Sequence, residues 1–211
     1  MSRDLSRRRA FTLVELLVVL GILAVLGAIL FPVFARARES AHKTACVAQL
    51  SQLYKAAKMY IDDNDRTLVP ARTEAVGSGT RGVTWCVLLQ PYLHNSQVLI
   101  CPSDPEPAAS ADSLCLPHSY GINYLLSFNN RWGTYPFVAR MSTVSRVSDT
   151  VLFFELKDEV AEMGASFYTH RLSRVSCRHN QKGNFGFLDG HIKTLGMADL
   201  GSVRSWDPFT G

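Results

Sequence analysis

A chain of 211 residues with 47% hydrophobic side chains has material for one globular core and a separate apolar segment. Its net charge of +4 is uneven, because Arg3, Arg7, Arg8 and Arg9 against Asp4 place +3 on residues 1–10 and leave +1 on residues 11–211. A near-neutral body carries no electrostatic footprint for nucleic acid as its main partner, and five cysteines without a Cys-x2-Cys pair exclude a dense disulfide scaffold and a zinc-finger spacing.

From Leu16 to Phe34 no side chain is charged or strongly polar, a run of 19 residues. Counted from Phe11 the stretch has 24 residues. As a helix that is about 36 Å, enough to cross a hydrocarbon core of roughly 30 Å. Only a helix satisfies its own backbone there. Three readings compete. One is a plain membrane anchor; another is a cleaved secretory signal with a basic region at Arg3–Arg9 and a small-x-small site at Ala35-Arg36-Ala37. The third is a segment kept after a cut in front of it. Glu15 favours the third. A carboxylate inside an apolar span costs about 2.5–3.5 kcal/mol, and neither of the first two readings gives it a partner. A cut before Phe11 frees an α-amino group that neutralises Glu15 of a neighbouring copy.

The residues Arg7-Arg8-Arg9-Ala10, then Phe11-Thr12-Leu13-Val14-Glu15 and the apolar run to Leu20, resemble the type IV prepilin cleavage and methylation motif. The family usually has Gly before the cut, where this chain has Ala10. The resemblance implies cleavage between Ala10 and Phe11 by prepilin peptidase and methylation of the Phe11 nitrogen. It also implies that Glu15 serves filament assembly and that the N-terminus is cytoplasmic, with the rest of the chain beyond the inner membrane. Flanking charge does not set that orientation, since Arg36, Arg38 and Lys43 follow the span. Pro32 falls where many pilins kink this helix, and Gly21 and Gly27 permit close helix approach.

Beyond the span, Cys46, Leu50, Leu53, Ala57 and Tyr60 keep a helical period and form one apolar stripe, expected to pack on the chain's own domain. The helix is expected to end near Asp62–Asp65. Those acids with Asn64 are candidate calcium ligands, but they lack the Gly and distal Glu of an EF-hand loop and read better as a solvated helix exit. Trp85, Leu88, Leu89 and Tyr92 make a short helical face, and Val98–Ile100 reads as a strand before the turn Cys101–Pro105. Residues 102–117 are expected to form a loop. Cys101 and Cys115 are the candidate disulfide across it, with buried free thiols the equal alternative. His118–Leu126 and Val151–Phe154 read as strands, the second central. Asn184–Leu188 and His191–Leu195 around Asp189-Gly190 form a hairpin pattern, with Asp-Gly supplying positive φ angles.

Nine residues separate His179 from Asp189. This tail resembles a large bacterial family that joins a prepilin N-terminus to a C-terminal His-x9-Asp-Gly processing-associated motif. The likeness extends to Trp85–Tyr92, Cys101-Pro102-Ser103-Asp104, Ser119-Tyr120-Gly121-Ile122-Asn123 and Arg178-His179. It implies an α+β, pilin-like or pseudopilin-like fold, with a long N-terminal helix, first transmembrane and then amphipathic, packed on a C-terminal antiparallel sheet. It assigns no role to His179, Asp189 and Gly190. The expected organisation is a cleaved leader at 1–10, a membrane or filament-core helix at 11–34, its amphipathic continuation at 35–65 and an α+β domain at 66–211.

His179, Asp189 and His191, with Asp149 or Glu155, are ligands of the right kind for a metal, yet their spacing follows no known site and a structural His179 hydrogen bond is the simpler reading. No cofactor, metal or enzymatic activity is expected. No nucleophile elbow or phosphate loop occurs, and Cys177 with His179 has no evident third group. Arg171, Arg174, Arg178, Lys182 and Lys193 form a basic patch without interleaved aromatics, so a solvated surface is preferred over DNA. The expected function is that of a structural subunit of a type IV pilus-like or type II secretion pseudopilus-like filament. Its expected partners are prepilin peptidase, other pilin-like subunits, the inner membrane and the assembly machinery. The alternatives are a minor pilin for adhesion or DNA uptake, or a membrane-anchored metal-binding domain.

Overall fold

A computed structural model of the chain describes residues 11–71, 73, 83–107, 116–123, 126, 138–157, 168–169 and 175–200. It divides into two compact units, residues 1–39 and 40–211. Helix α1 runs from Leu13 to Asp63 and contributes to both.

In the first unit α1 is apolar on every side from Leu16 to Phe34. Its large side chains from Phe11 to Phe34 are between 47% and 78% exposed. An ordinary surface helix buries one stripe and wets the rest; this one needs cover from outside the chain all round. By length and composition it is long enough to cross a membrane. Pro32 lies inside the helix and removes one backbone donor from its ladder. A Cβ added at Gly21 or Gly27 would meet nothing within 4 Å, so the chain's own packing demands neither glycine.

The second unit begins with the rest of α1. Cys46, Leu50, Leu53, Ala56, Ala57 and Ile61 are buried, which follows the expected stripe until its end, where Ile61 takes the place of Tyr60. Tyr60 instead meets Tyr92 edge to face at 6.0 Å. The helix stops where the acids accumulate. Asn64 Nδ2 donates to the Tyr60 carbonyl at 2.8 Å, and Asp65 and Arg66 take left-handed φ values of 50° and 60°.

The sheet has the order β3-β1-β2-β4-β5, from strands β1 (Tyr120–Asn123), β2 (Val151–Glu155), β3 (Tyr168–Thr169), β4 (Lys182–Phe187) and β5 (Ile192–Gly196). β1, β2, β4 and β5 pair antiparallel, while the two-residue β3 lies parallel to β1. β2 is central and wholly buried, as its unbroken apolar run requires. A register shift between Val151 and Phe153 puts Leu152 and Phe153 on one face together, with Val151 and Phe154 on the other. The first face joins the α1 stripe, Trp85, Tyr120, Ile122 and Leu188 in the main core. The second gathers Val151, Phe154, Leu156, Val175, Phe185 and Phe187. The fold is therefore α+β and pilin-like, a long N-terminal helix packed on an antiparallel sheet.

Two expected strands differ from the structure. Residues 96–99 form a 3-10 turn rather than a strand, because the Asn95 side chain accepts from the Gln97 N–H at 2.9 Å and starts a turn that overrides the apolar run. Of the strand expected over His118–Leu126, the described residues form Tyr120–Asn123, and 124–125 lie outside them. The short helix appears at Trp85–Leu88, followed by a 3-10 turn at Gln90–Tyr92 that holds Pro91. Trp85 is fully buried, 5.4 Å from the Phe153 ring and 5.6 Å from His118.

Burial lowers the His118 imidazole from 6.5 to about 4, against the opposing pull of the Leu116 carbonyl, which faces Nδ1 at 2.6 Å. The unfolded chain takes up this proton from about pH 6.5 downward, whereas the fold resists it to about pH 4. Stability from this group is therefore complete above pH 6.5 and lost between those two values, by about 3 kcal/mol in all. Urea midpoints of the detergent-solubilised chain should fall more steeply over that window than those of His118→Gln.

Candidate functional site

Among the described residues of the first unit, Thr12 and Glu15 build a polar construction. Thr12 caps α1. Its backbone N–H donates to Glu15 Oε2 at 2.9 Å, its hydroxyl donates to the same oxygen at 2.7 Å, and the Glu15 N–H returns to Thr12 Oγ1 at 3.2 Å. This is a capping box, in which Thr and the acid three residues on satisfy each other's orphan donors. The negative charge also suits the helix N-terminus. Glu15 thus has an ordinary local use besides any pairing between copies, which the sequence reading did not give it. Phe11 directly precedes the cap. Ala10 lies outside the described residues.

The second unit assembles the other motifs. β4 is bracketed by two tight turns that the His-x9-Asp-Gly spacing measures out. At its start the His179 N–H donates to the Lys182 carbonyl at 3.0 Å and the Lys182 N–H to the His179 carbonyl at 3.1 Å. Asn180 and Gln181 between them take φ values of 51° and 64°, the geometry of a primed two-residue turn. At its end Gly190 alone of the Asp-Gly pair has a positive φ, 97°. The connection is a three-residue loop, 188–190, closed by Phe187 and His191, rather than a two-residue primed turn. A Cβ on Gly190 would also come within 2.4 Å of the Tyr54 ring of α1, so turn geometry and close approach both select glycine. Asp189 Oδ1 accepts from the His191 N–H at 3.1 Å and meets its Nδ1 at 2.5 Å, while the His191 ring stacks on Phe187 at 4.2 Å.

His179, Asp189 and His191 therefore do not share a site. They stand at opposite ends of β4, roughly 17 Å apart by strand rise. Asp149 is elsewhere too, paired with Arg146 at 2.6 Å. What His179 meets is different: Nε2 lies 3.0 Å from Glu155 Oε1 and 3.6 Å from Cys101 Sγ. Cys101 is joined to Cys46 of α1, Cα to Cα 5.6 Å, across 55 residues. This corrects the expected Cys101–Cys115 pair; Cys115 lies outside the described residues. Sequence nearness suggested that pair, but the helical stripe brings Cys46 beneath the turn that begins at Cys101. Cys86 is buried with its Sγ 3.1 Å from the Thr84 hydroxyl, and Cys177 is a half-buried free cysteine. Burial, followed by the nearby Glu155 charge, pushes the Cys177 thiol up, away from a reactive thiolate.

Around this centre several polar groups are tied down. Asn184 Nδ2 donates to Glu155 Oε1 at 2.8 Å, and the Thr194 hydroxyl donates to Asn184 Oδ1 at 2.8 Å. The Cys101 N–H donates to Ser119 Oγ at 2.9 Å, and the Tyr120 hydroxyl donates to Gln49 Oε1 at 2.6 Å. Burial raises the Tyr120 hydroxyl well above its usual range, so it acts here as a neutral donor. Asp104 and Arg178, 2% and 10% exposed, pair at 2.7 Å. Arg178 also donates to the Leu156 carbonyl at 2.6 Å and to Ser176 Oγ at 3.1 Å. The Cys101–Asp104, Ser119–Asn123 and Arg178-His179 segments thus converge in one buried cluster. Two of the acids considered for calcium are otherwise engaged. Asp62 binds Lys58 at 2.7 Å and Arg66 at 2.6 Å, and Asp63 accepts from the Tyr92 hydroxyl at 3.0 Å. Arg171 and Arg174 of the basic patch lie outside the described residues.

The capped, apolar N-terminal part of α1 and the α+β domain together make a pilin-like fold. Residues 5–31 match the family model of the prokaryotic N-terminal methylation motif, so the chain carries that motif. It is 40% identical over 70 residues to the type IV wide pilus major component of Thermus thermophilus, covering 33% of this chain and 53% of that one. It is 35% identical over 66 residues to the type IV major pilin of Myxococcus xanthus, covering 31% of this chain and 30% of that one. The chain thus spans about half the length of the first relative and less of the second. No solved structure matches it.

Proposed function

We propose that this chain is a structural subunit of a type IV pilus-like or type II secretion pseudopilus-like filament. Prepilin peptidase cuts between Ala10 and Phe11 and the Phe11 nitrogen is methylated. Before assembly the α1 segment holds the chain in the inner membrane, N-terminus cytoplasmic and C-terminal domain outside. In the filament the same segment packs against α1 of neighbouring subunits, and the domain faces outward. The role is mechanical rather than catalytic, and the partners are the peptidase, other pilin-like subunits and the assembly machinery.

The observation that carries this reading is the uncovered helix. Nineteen residues from Leu16 to Phe34 carry no charge, and none of the large side chains among them is buried by the chain itself. Lipid and neighbouring helices are two successive covers for such a surface, and Gly21 and Gly27 are free to serve helix approach between copies. The methylation motif and the two pilin relatives point the same way. The second relative is a major pilin, as is the first, which favours a filament body over a minor adhesion or uptake subunit.

A photo-crosslinking residue placed at Val18 tests this in cells. A ladder of multimers containing pilin-like subunits, dependent on the peptidase, is the expected outcome. Monomer alone, under conditions where filaments form, would contradict it.

A further inference from the structure

The cluster of Cys46, Cys101, Glu155 and His179 carries more than a covalent link between α1 and the domain. Two sulfurs, an imidazole nitrogen and a carboxylate oxygen lie within 4.8 Å of one another, and all four residues are buried. They come from four separate places in the chain: α1, the turn at Cys101, the end of β2 and the turn before β4. A disulfide needs neither the imidazole nor the carboxylate. Yet Glu155 is wholly enclosed, and its Oε2 has no hydrogen-bond partner among the described residues. A buried carboxylate oxygen without a partner is costly. It becomes favourable when a cation takes the missing place.

We infer that, with Cys46 and Cys101 as thiols, these four residues bind one zinc-class divalent ion. The donor set is the thiolate, imidazole and carboxylate mixture that suits zinc in a tetrahedral site. Donors around such an ion, at about 2.0–2.3 Å from it, stand about 3.3–3.8 Å apart. His179 Nε2 is 3.0 Å from Glu155 Oε1 and 3.6 Å from Cys101 Sγ, close to that spacing. The two sulfurs separate to reach it. Four protein ligands leave no open position, so the ion is structural and not catalytic. Asn184 and Thr194 form the outer support, since Asn184 Nδ2 orients the ligating carboxylate and Thr194 orients Asn184. The ion and the disulfide are alternative occupants. Reduction of the disulfide takes two electrons and two protons to give two thiols, and binding of the ion releases the two thiol protons. A newly made chain already holds the thiols.

The test uses the full-length chain in detergent, reduced with a phosphine, stripped of metal and titrated with zinc(II) or cobalt(II). One equivalent of ion per chain is expected, with cobalt giving the intense visible bands of a tetrahedral site and a thiolate charge-transfer band. Cys101→Ser should abolish that band, and Glu155→Gln, which keeps an acceptor for Asn184, should weaken affinity at least tenfold. Circular dichroism identifies any variant that has not folded, and the wild-type titration stands without them. Less than a tenth of an equivalent bound by the reduced wild type would overturn the inference, leaving the disulfide as the site's only chemistry. So would an ion retained by folded Cys46→Ser or Cys101→Ser.

Discussion

A Glu15→Gln chain should insert into the membrane like the wild type and be missing from filaments. Gln serves a capping box as Glu does, so Thr12 keeps its hydrogen-bond partner and the helix start is preserved. Insertion becomes easier, because a carboxylate in an apolar span costs about 2.5–3.5 kcal/mol. What disappears is the charge that, in the proposed filament, pairs with the Phe11 amine of the next subunit. Losing one member of a desolvated ion pair costs about 3–5 kcal/mol, and each 1.4 kcal/mol is about tenfold in an equilibrium. Incorporation per subunit should therefore drop by about 100-fold or more, read as the share of the chain in sheared filaments. Thr12→Ala is the control that separates the two jobs of Glu15. It removes the capping hydroxyl, for about 1 kcal/mol, and leaves the charge, so assembly should be nearly unchanged. Loss of assembly in Thr12→Ala with retention in Glu15→Gln would mean that the cap, and not the charge, is what filaments require.

The largest loss within the domain is expected from Asp104→Ala. Asp104 and Arg178 are almost fully enclosed and 2.7 Å apart. Removing the carboxylate takes the Asp104 charge away from a guanidinium buried beside the Leu156 carbonyl and the Ser176 hydroxyl. The expected cost is about 3–5 kcal/mol, read from urea unfolding of the detergent-solubilised chain. Removing both charges, as in Asp104→Ala with Arg178→Met, should recover most of it, because an apolar pair of similar volume avoids desolvating either ion. A double variant as unstable as the single one would place the loss in packing rather than in charge. Membrane insertion should be unaffected in both, since neither residue belongs to the first unit.

Much of the fold was legible because its signals are periodic. The α1 stripe and the β4–β5 hairpin announced themselves through spacing, and the central β2 through an unbroken apolar run. Where a polar side chain competes for the backbone, periodicity misleads. Asn95 converts an apolar run into a 3-10 turn, and nothing in Val98-Leu99-Ile100 alone reveals it. The Cys46–Cys101 link was hidden for a different reason: it joins residues 55 apart whose nearness depends on how α1 meets the sheet. The stripe did contain Cys46, and a cysteine at a buried helical position was the available clue. Thr12 was missed although Thr-x-x-Glu before an apolar run is a readable capping signature. His179 and Asp189-Gly190 were singled out together without a role; in the structure they stand at opposite ends of β4, and the partners of His179 come from β2 and from the Cys101 turn. Long-range convergence of that kind has no signature in a single sequence.

The most direct measurement is the intact mass of this subunit taken from sheared filaments. The expected chain lacks residues 1–10 and begins at a methylated Phe11. Filaments built from chains that still carry Met1 through Ala10 would contradict the pairing of Glu15 with a freed amine, and with it the filament role assigned to α1.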